Sequence, residues 1–448
     1  MKNFKKISKV SMLATLLFPL SFNVVYGAIY NDSLDENTEI KFDLKQFGPR
    51  VNTKQSQIVE LIKEAEIAFK TGRLIKSEQL LLRGLEKARG NLKSESTLIS
   101  ILGKVYAKQQ QADKLLPLAE SLLKRFPNEV VALSTMAGAQ IVNKQLDEAK
   151  NILENIIEKK PKDVGHRLLL VELLIKETQQ EKEALKLLSD ILKIQANNPK
   201  ALLFKTKVHI ALQQFKSAKK TIKTISRFYP KAAIADQLQG DLNLAQKKYK
   251  KALASYKKSY QIRPNNKVLF LMSDLMKFLK QDTAALNLLN SELNKANDNL
   301  ALQFKLGNIY QQLKEYPKAA KHFEFILEIQ ADNVAVLNNL AWNYFQQGNA
   351  EAINLAKKAY DKAPKSVAIA DTYAVILLEK GDKKQALDIL KDIAKKSPNA
   401  MDIQYHLALA YSKNSQKQQA IDILKVLEQE KKYFSEKKQV ALLLKQLM

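Results

Sequence analysis

Four histidines, His166, His209, His322 and His406, are the side chains best suited here to moving a proton or holding a metal near neutral pH. Their spacing argues against both tasks, because no two lie within a helical turn of each other, as a zinc-binding pair on one helix would require. The chain has no cysteine, which removes thiolate metal sites, disulfides and a cysteine nucleophile. It contains no G-x-S-x-G, no H-E-x-x-H, no P-loop and no G-x-G-x-x-G. Carboxylates are plentiful, but they stand at helical spacing from lysine and read as solvated faces and i,i+4 partners. Neither an enzyme nor a bound cofactor or metal is expected.

The chemistry that remains is recognition. Trp342 and Phe345 stand three apart, next to Asn338 and Asn339. Aromatic area beside side-chain amides suits an extended peptide or a sugar chain, because asparagine can bond to backbone or hydroxyl groups. A second signal is charge. The formal net charge is +27, and residues 200–267 hold 17 Lys or Arg against two acids, Asp236 and Asp241. Such a balance favours an anionic partner: nucleic acid, anionic lipid headgroups or an acidic polysaccharide. Lysine-rich helices are also a common way to solvate an outer face.

The N-terminus narrows that choice. Lys2, Lys5, Lys6 and Lys9 precede a short apolar run, Val10 to Phe22, and Val25 and Gly27 stand at −3 and −1 of a cleavage site before Ala28. The run is broken by Pro19 and Ser21 and is short for a membrane span. Residues 1–27 are therefore expected to be a signal peptide and the mature chain to be exported to the periplasm, with an uncleaved anchor as the alternative. An exported protein rarely meets nucleic acid, so polysaccharide and lipid lead among anionic partners. No later stretch reaches about 18 consecutive apolar residues, so no transmembrane helix is expected after the signal.

All of these residues must be placed by a scaffold, and the scaffold repeats. In "LGNIYQQLKEYPKAAKHFEFILEIQADN", Leu306 to Asn333, a small residue, a tyrosine, an alanine and an aromatic fall at Gly307, Tyr310, Ala319 and Phe323. Equivalents of the alanine recur at Ala149, Ala184, Ala218, Ala252, Ala284, Ala352, Ala386 and Ala420, with gaps of 32 to 35 residues. Leu115 and Ser77 hold the same place in two degenerate units upstream. Twelve residues before the marker stands a small residue in most units: Gly103, Ala137, Gly240, Gly307, Ala374 and Ala408. Twelve residues after it stands Pro127, Pro161, Pro230, Pro264, Pro364 or Pro398. Each unit holds two apolar-periodic stretches separated by a short polar turn. Two antiparallel helices need small side chains where their axes approach, and proline ends the second helix. One such pair cannot bury its apolar face alone, so neighbours must stack.

These spacings resemble those of the tetratricopeptide repeat (TPR) over residues 58–434. The resemblance implies an all-α, right-handed superhelical solenoid of about eleven helix-turn-helix repeats. Residues 28–57, with Gly48-Pro49, read as a flexible lead-in, and residues 435–448 as a capping helix with Ser435 as N-cap. In such solenoids the first helix of each pair lines the concave surface. That implies groove positions for Ile141, Leu169, Leu203, Ile210, Leu244, Phe304, Asn338, Trp342, Phe345, Leu378 and Tyr405, and with them a protein or peptide partner. His209 holds the tyrosine place of its unit, which implies a core or interface role. The same geometry assigns Lys219, Lys220, Lys223, Lys247, Lys248, Lys250, Lys251, Lys257 and Lys258 to second helices on the convex side. There they form a solvated face or a site for an acidic polysaccharide or membrane surface.

The C-terminal block, from "NNLAWNYFQQGNAEAINLAKKAY" to "YHLALAYSKNSQKQQAIDIL", is similar over about 85 residues to the end of large exported TPR proteins of exosortase/PEP-CTERM systems. Those proteins are thought to assist exopolysaccharide production or surface-protein sorting. Many of them look like lipoproteins, and this chain has no cysteine for that anchor. The resemblance implies a non-catalytic scaffold in the envelope, with direct binding of an anionic polymer or surface as the alternative.

Overall fold

The computed structural model describes residues 53–448 apart from 177–179, 431, 433 and 435. The expected signal peptide, most of the lead-in and the expected N-cap Ser435 lie outside the described residues. Every regular element among those described is helical, and they divide into two units, residues 53–262 and 263–448.

The first unit holds six helix pairs: α1 (Thr53–Lys70) with α2 (Leu74–Ala88), α3 (Leu92–Gln109) with α4 (Leu115–Arg125), and α5 (Val130–Val142) with α6 (Leu146–Lys159). Then come α7 (Val164–Lys176) with α8 (Glu181–Ile194), α9 (Pro199–Ala211) with α10 (Phe215–Phe228), and α11 (Ile234–Ala245) with α12 (Tyr249–Ile262). The second unit holds five pairs and a last single helix. They are α13 (Asn266–Phe278) with α14 (Asp282–Leu293), α15 (Leu300–Gln312) with α16 (Tyr316–Ile329), and α17 (Val334–Gln347) with α18 (Ala352–Lys362). The series ends with α19 (Val367–Lys380) and α20 (Lys383–Lys396), α21 (Met401–Lys413) and α22 (Lys417–Gln429), and the cap α23 (Lys437–Leu447). Helix α1 starts five residues before the repeat boundary expected at Ile58.

In seven units the marker alanine is the fourth residue of the second helix, at Ala149, Ala184, Ala218, Ala252, Ala319, Ala386 and Ala420, whereas Ala352 is the first residue of α18. One register shifts from the sequence expectation. Ala284 is exposed, and Ala285, the fourth residue of α14, is the one buried in the seam. The neighbouring alanine is a decoy that only the backbone turn resolves. Five residues before six of the buried markers, the turn places a left-handed residue: Lys144, Gln213, Lys247, Lys280, Lys314 and Ser415 all have φ between 56° and 62°. Lys280 precedes Ala285 by that same interval, which fixes the corrected register.

Side-chain sizes match across each pair. Gly240 faces Tyr256 and Gly307 faces Phe323, and a Cβ at either glycine would stand 2.5 Å or 2.8 Å from the aromatic ring. Where leucine replaces the ring, alanine replaces glycine, as in Ala137 with Leu153, Ala374 with Leu390 and Ala408 with Leu424. Close packing at constant volume explains the covariation. In the degenerate second pair, Leu115 fills the space over Gly103, and in the first pair Ser77 donates to the Ala65 carbonyl at 2.8 Å.

Proline stands two residues beyond the last helical residue of α4, α6, α10, α12, α18 and α20, where its missing N–H costs nothing. Several first helices are capped at their start by an asparagine side chain, only one of them, α13, behind such a proline. Asn198, Asn265, Asn299 and Asn333 each accept from the backbone N–H three residues on, at 2.9 to 3.3 Å. These caps, 34 residues apart in the second unit, went unread in the sequence.

Candidate functional site

The expected groove residues share two registers of the first helices. Leu203, Phe304, Asn338 and Tyr405 hold one; Ile210, Leu244, Phe345 and Leu378 hold the other, seven residues on. Between them falls a third, occupied by Lys207 on α9, Asp241 on α11, Asn308 on α15 and Trp342 on α17. With spacing i, i+4, i+7, each helix presents these three positions on one face.

Burial divides the set. Ile210, Leu244, Asn338, Trp342, Leu378 and Tyr405 are buried within the chain's own packing, and Trp342 is only 5 % exposed. Leu203, Phe304 and Phe345 are half-buried, as are Ile141 and Leu169. Tyr405 packs with Val440 and Leu444 of the cap helix, so it presents little surface to a partner. Phe304 meets Phe323 edge-on with ring centres 5.9 Å apart, and Phe345 lies tilted on Trp342 at 5.7 Å. The aromatics expected to reach outward thus first pack within their own hairpins, Phe304 on the second helix of its pair and Phe345 on its own helix.

What stays open on this face, in the second unit, is an aromatic and amide row. Asn339 donates to the Asn308 side-chain oxygen at 2.9 Å, and Asn343 donates to Gln311 at 2.6 Å, tying α17 to α15. Asn343 also donates to the Asn339 carbonyl at 2.7 Å, which fixes its amide orientation. Asn308, Gln311, Phe304 and Phe345 remain half-exposed along the edge of this row. The side-chain carbonyl oxygens of Asn338 and Asn343 are buried without a hydrogen-bond partner. Among these residues, Phe304, Asn338, Asn339 and Phe345 had stood out in the sequence and Asn308, Gln311 and Asn343 had not, because the amide bridges span 31 and 32 residues and leave no local signal.

The same face in the first unit carries a buried charged cluster. Tyr256 donates to the Asp241 carboxylate at 2.6 Å, and Lys207 adds an opposite charge nearby. Burial pushes Asp241 up to about 6, against the pull of Tyr256 and Lys207. Burial draws the Lys207 ammonium down to about 8, with Asp241 opposing and Lys176 assisting. All three side chains are nearly sealed, so the arrangement orders the repeat and offers no accessible nucleophile.

Each histidine has a partner inside its own neighbourhood. His166 meets Asp163 at 2.9 Å, His209 meets Gln214 at 2.7 Å, His322 meets Gln303 at 2.6 Å, and His406 meets Asp371 at 2.7 Å. His322 also stacks on Tyr310 at 5.5 Å. Among the described residues no three of His, Asp and Glu gather in a way that would hold a metal.

The basic residues lie elsewhere. Lys219, Lys220, Lys223, Lys250, Lys251, Lys257 and Lys258 are exposed on the second helices α10 and α12. Lys247 and Lys248, expected on a second helix, are exposed in the α11–α12 turn instead, and Lys247 is its left-handed residue at φ 59°. Among the described residues none of these nine has an acidic partner. No described helix is long and apolar enough to cross a membrane.

The tetratricopeptide repeat family model matches residues 106–176, 177–242 and 349–410. No curated protein matches the chain. Among solved structures, similarity extends to a tetratricopeptide repeat protein of Parabacteroides merdae, with 16% identity, 55% of this chain and 96% of that one, and a TM-score of 0.40. It extends also to the APC/C hetero-tetramer Cut9-Hcn1, with 13% identity, 88% and 97% coverage, and a TM-score of 0.42. A third is a thermophilic TPR protein of Thermus thermophilus, with 19% identity, 40% and 99% coverage, and a TM-score of 0.33. Over the matched residues the hairpins are tetratricopeptide repeats, and within each unit the described helix pairs stack in an all-α solenoid fold.

Proposed function

We propose that this tetratricopeptide repeat chain is a non-catalytic scaffold that holds a protein partner along the first-helix row of its second unit. The observation carrying this reading is the edge formed by Phe304, Asn308, Gln311 and Phe345, half-exposed and backed by an amide network. Aromatic rings supply apolar area at small entropic cost, and the amides bond to a backbone of any sequence. The fixed helices behind them hold both in place before a partner arrives, which lowers the cost of binding.

The place of work we propose is the periplasm, reached through the signal segment of residues 1–27. There the scaffold serves an envelope assembly that exports exopolysaccharide or sorts surface proteins, a reading supported by the likeness of the C-terminal block. A photo-crosslinking side chain placed at Gln311 in cells tests the partner. One protein should be captured, and capture should fall with Asn308→Ala together with Phe345→Ala; absence of any crosslink, or capture indifferent to these changes, refutes the site. The half-exposed pair is the better probe, because Trp342→Ala would empty a buried site and disturb the fold as well. Export is tested by the intact mass of the mature chain, expected to begin at Ala28.

A second reading, in which the basic repeats bind an acidic polysaccharide or an anionic membrane surface, draws on one observation. The nine lysines of α10, α12 and the turn before α12 stand exposed without acidic partners.

A further inference from the structure

We infer that the second-helix face of residues 182–262 docks on an anionic lipid bilayer; this deepens the second reading above and rests on it.

The repeat superposes residues 34 apart, so side chains of α8, α10 and α12 form rows across the stack. One row is Lys182, Lys216 and Lys250, and another is Lys186, Lys220 and Ala254. A third is Ser189, Lys223 and Lys257, and a fourth is Lys193, Arg227 and Gln261. Along α10, positions 216, 220, 223 and 227 follow helical spacing and occupy one side. No exposed residue between 213 and 262 is acidic. Asp241 is buried beneath Tyr256 and Asp236 is only half-exposed, on the first helix of its pair.

Ordinary solvation does not need this arrangement. On second helices outside this face, exposed lysines take acidic partners, Lys357 with Asp361 at 2.7 Å and Lys396 with Asp392 at 2.6 Å, and at the edge of the face Lys193 of α8 pairs with Asp190 at 2.8 Å. Helices α10 and α12 contain no acid at all. Like charges held this close repel, and Lys220 already adds to the forces that depress Lys205 beside it. An anionic surface relieves that repulsion.

Charge alone would fit any polyanion. The fifth row decides between them. Ile194, Phe228 and Ile262, the last residues of α8, α10 and α12, are 42 %, 37 % and 48 % exposed. Three large apolar side chains thus stand in register at the end of the basic rows. The Arg227 guanidinium lies over the Phe228 ring at 4.8 Å, cation and apolar group side by side. An acidic polysaccharide neutralises the lysines and leaves this apolar row in water. A bilayer takes both, the apolar side chains entering the headgroup boundary while the lysine stems reach out to lipid phosphates.

The experiment uses the full mature chain and vesicles of phosphatidylcholine alone or mixed with phosphatidylglycerol, with alginate as competitor. The protein should co-sediment with the anionic vesicles and not with the neutral ones. Each of Lys219→Glu, Lys220→Glu and Lys223→Glu should weaken partitioning by at least roughly fivefold, the weight of one cation at such a surface. Phe228→Ser with Ile262→Ser, both exposed and expected to leave the melting temperature unchanged, should weaken it several-fold and leave the residual binding abolished by salt. Vesicle binding indifferent to the serine pair, or fully displaced by alginate, overturns the bilayer and keeps the polyanion reading. Retention on neither vesicles nor alginate overturns both.

Discussion

Raising the pH should release the C-terminal cap. Glu436 stands at the entrance of α23, buried, with one carboxylate oxygen lacking a hydrogen-bond partner. Around it are Asp402 and His406 of α21 and Asp371 of α19, and Tyr405 faces the same space. Burial pushes the Glu436 carboxyl up to about 8; His406 opposes this, and Asp402 and Asp371 add to it. Burial pulls His406 down, but its 2.7 Å contact with Asp371 and the charges of Glu436 and Asp402 carry it above its ordinary value. Both groups therefore bind protons more tightly in the docked state than in the undocked one. For each, stability is complete below the undocked value, near 4.5 for the carboxyl and 6.5 for the imidazole, and is lost as pH rises through the docked value. For Glu436 the displacement is about 3.5 units, which at 1.36 kcal/mol per unit is on the order of 4–5 kcal/mol between acid and mildly alkaline solution. That is enough to detach a helix of 11 residues held mainly by Val440, Leu443 and Leu444.

Amide hydrogen exchange over residues 437–447, normalised for intrinsic rate, reads this directly. Protection should be strong at about pH 5.5 and largely lost by about pH 8.5, while helices far from the cap keep theirs. Glu436→Gln, neutral at every pH and nearly the same shape, should flatten the dependence and leave only the His406 contribution. Protection that does not change with pH in the parent chain, or an equal slope in the glutamine variant, refutes the reasoning.

Two further changes test the packing. Gly307→Ala brings a methyl to 2.8 Å from the sealed Phe323 ring, so overpacking of about 1–3 kcal/mol should outweigh the helix gain of about 1 kcal/mol; adding Phe323→Leu should restore the melting temperature, recreating the Ala374 and Leu390 pair. Arg125→Ala strips the buried Glu95 of its two-pronged guanidinium partner and leaves it the Gly90 N–H, and should cost about 3 kcal/mol by denaturant titration.

The architecture was legible because its rule is local and repeated. A small residue, a marker and a proline each answer a constraint within one hairpin, and the period shows through even where Leu115 or Ser77 breaks the type. The slip at Ala284 came from two adjacent alanines; only the left-handed turn residue at Lys280 tells which faces the seam. Burial was less legible for a different reason. Whether Trp342 or Tyr405 stands open depends on what the next hairpin or the cap lays over it, and those residues are about 30 or more positions away. The amide bridges from Asn308 and Gln311 are hidden for the same reason. The N-caps were visible in principle, since asparagine precedes three successive first helices of the second unit at a period of 34.

Charge sorts by face in a way the count of basic residues does not reveal. In residues 200–267 burial withdraws Lys207 and Asp241 from the surface together, each shifting towards its neutral form. Lys205 and Lys267 are half-buried as well, both with depressed ammonium groups. In this stretch the first helices therefore expose few charges, while most exposed lysines stand on the second helices and the turn before α12. A partner seated on first helices would then be chosen by shape and hydrogen bonding, with weak dependence on salt. A surface met by the second helices would be chosen by charge, with strong dependence. Protein capture that persists at high salt while vesicle binding disappears would separate them in a single titration, and equal loss of both would mean that one face serves for everything.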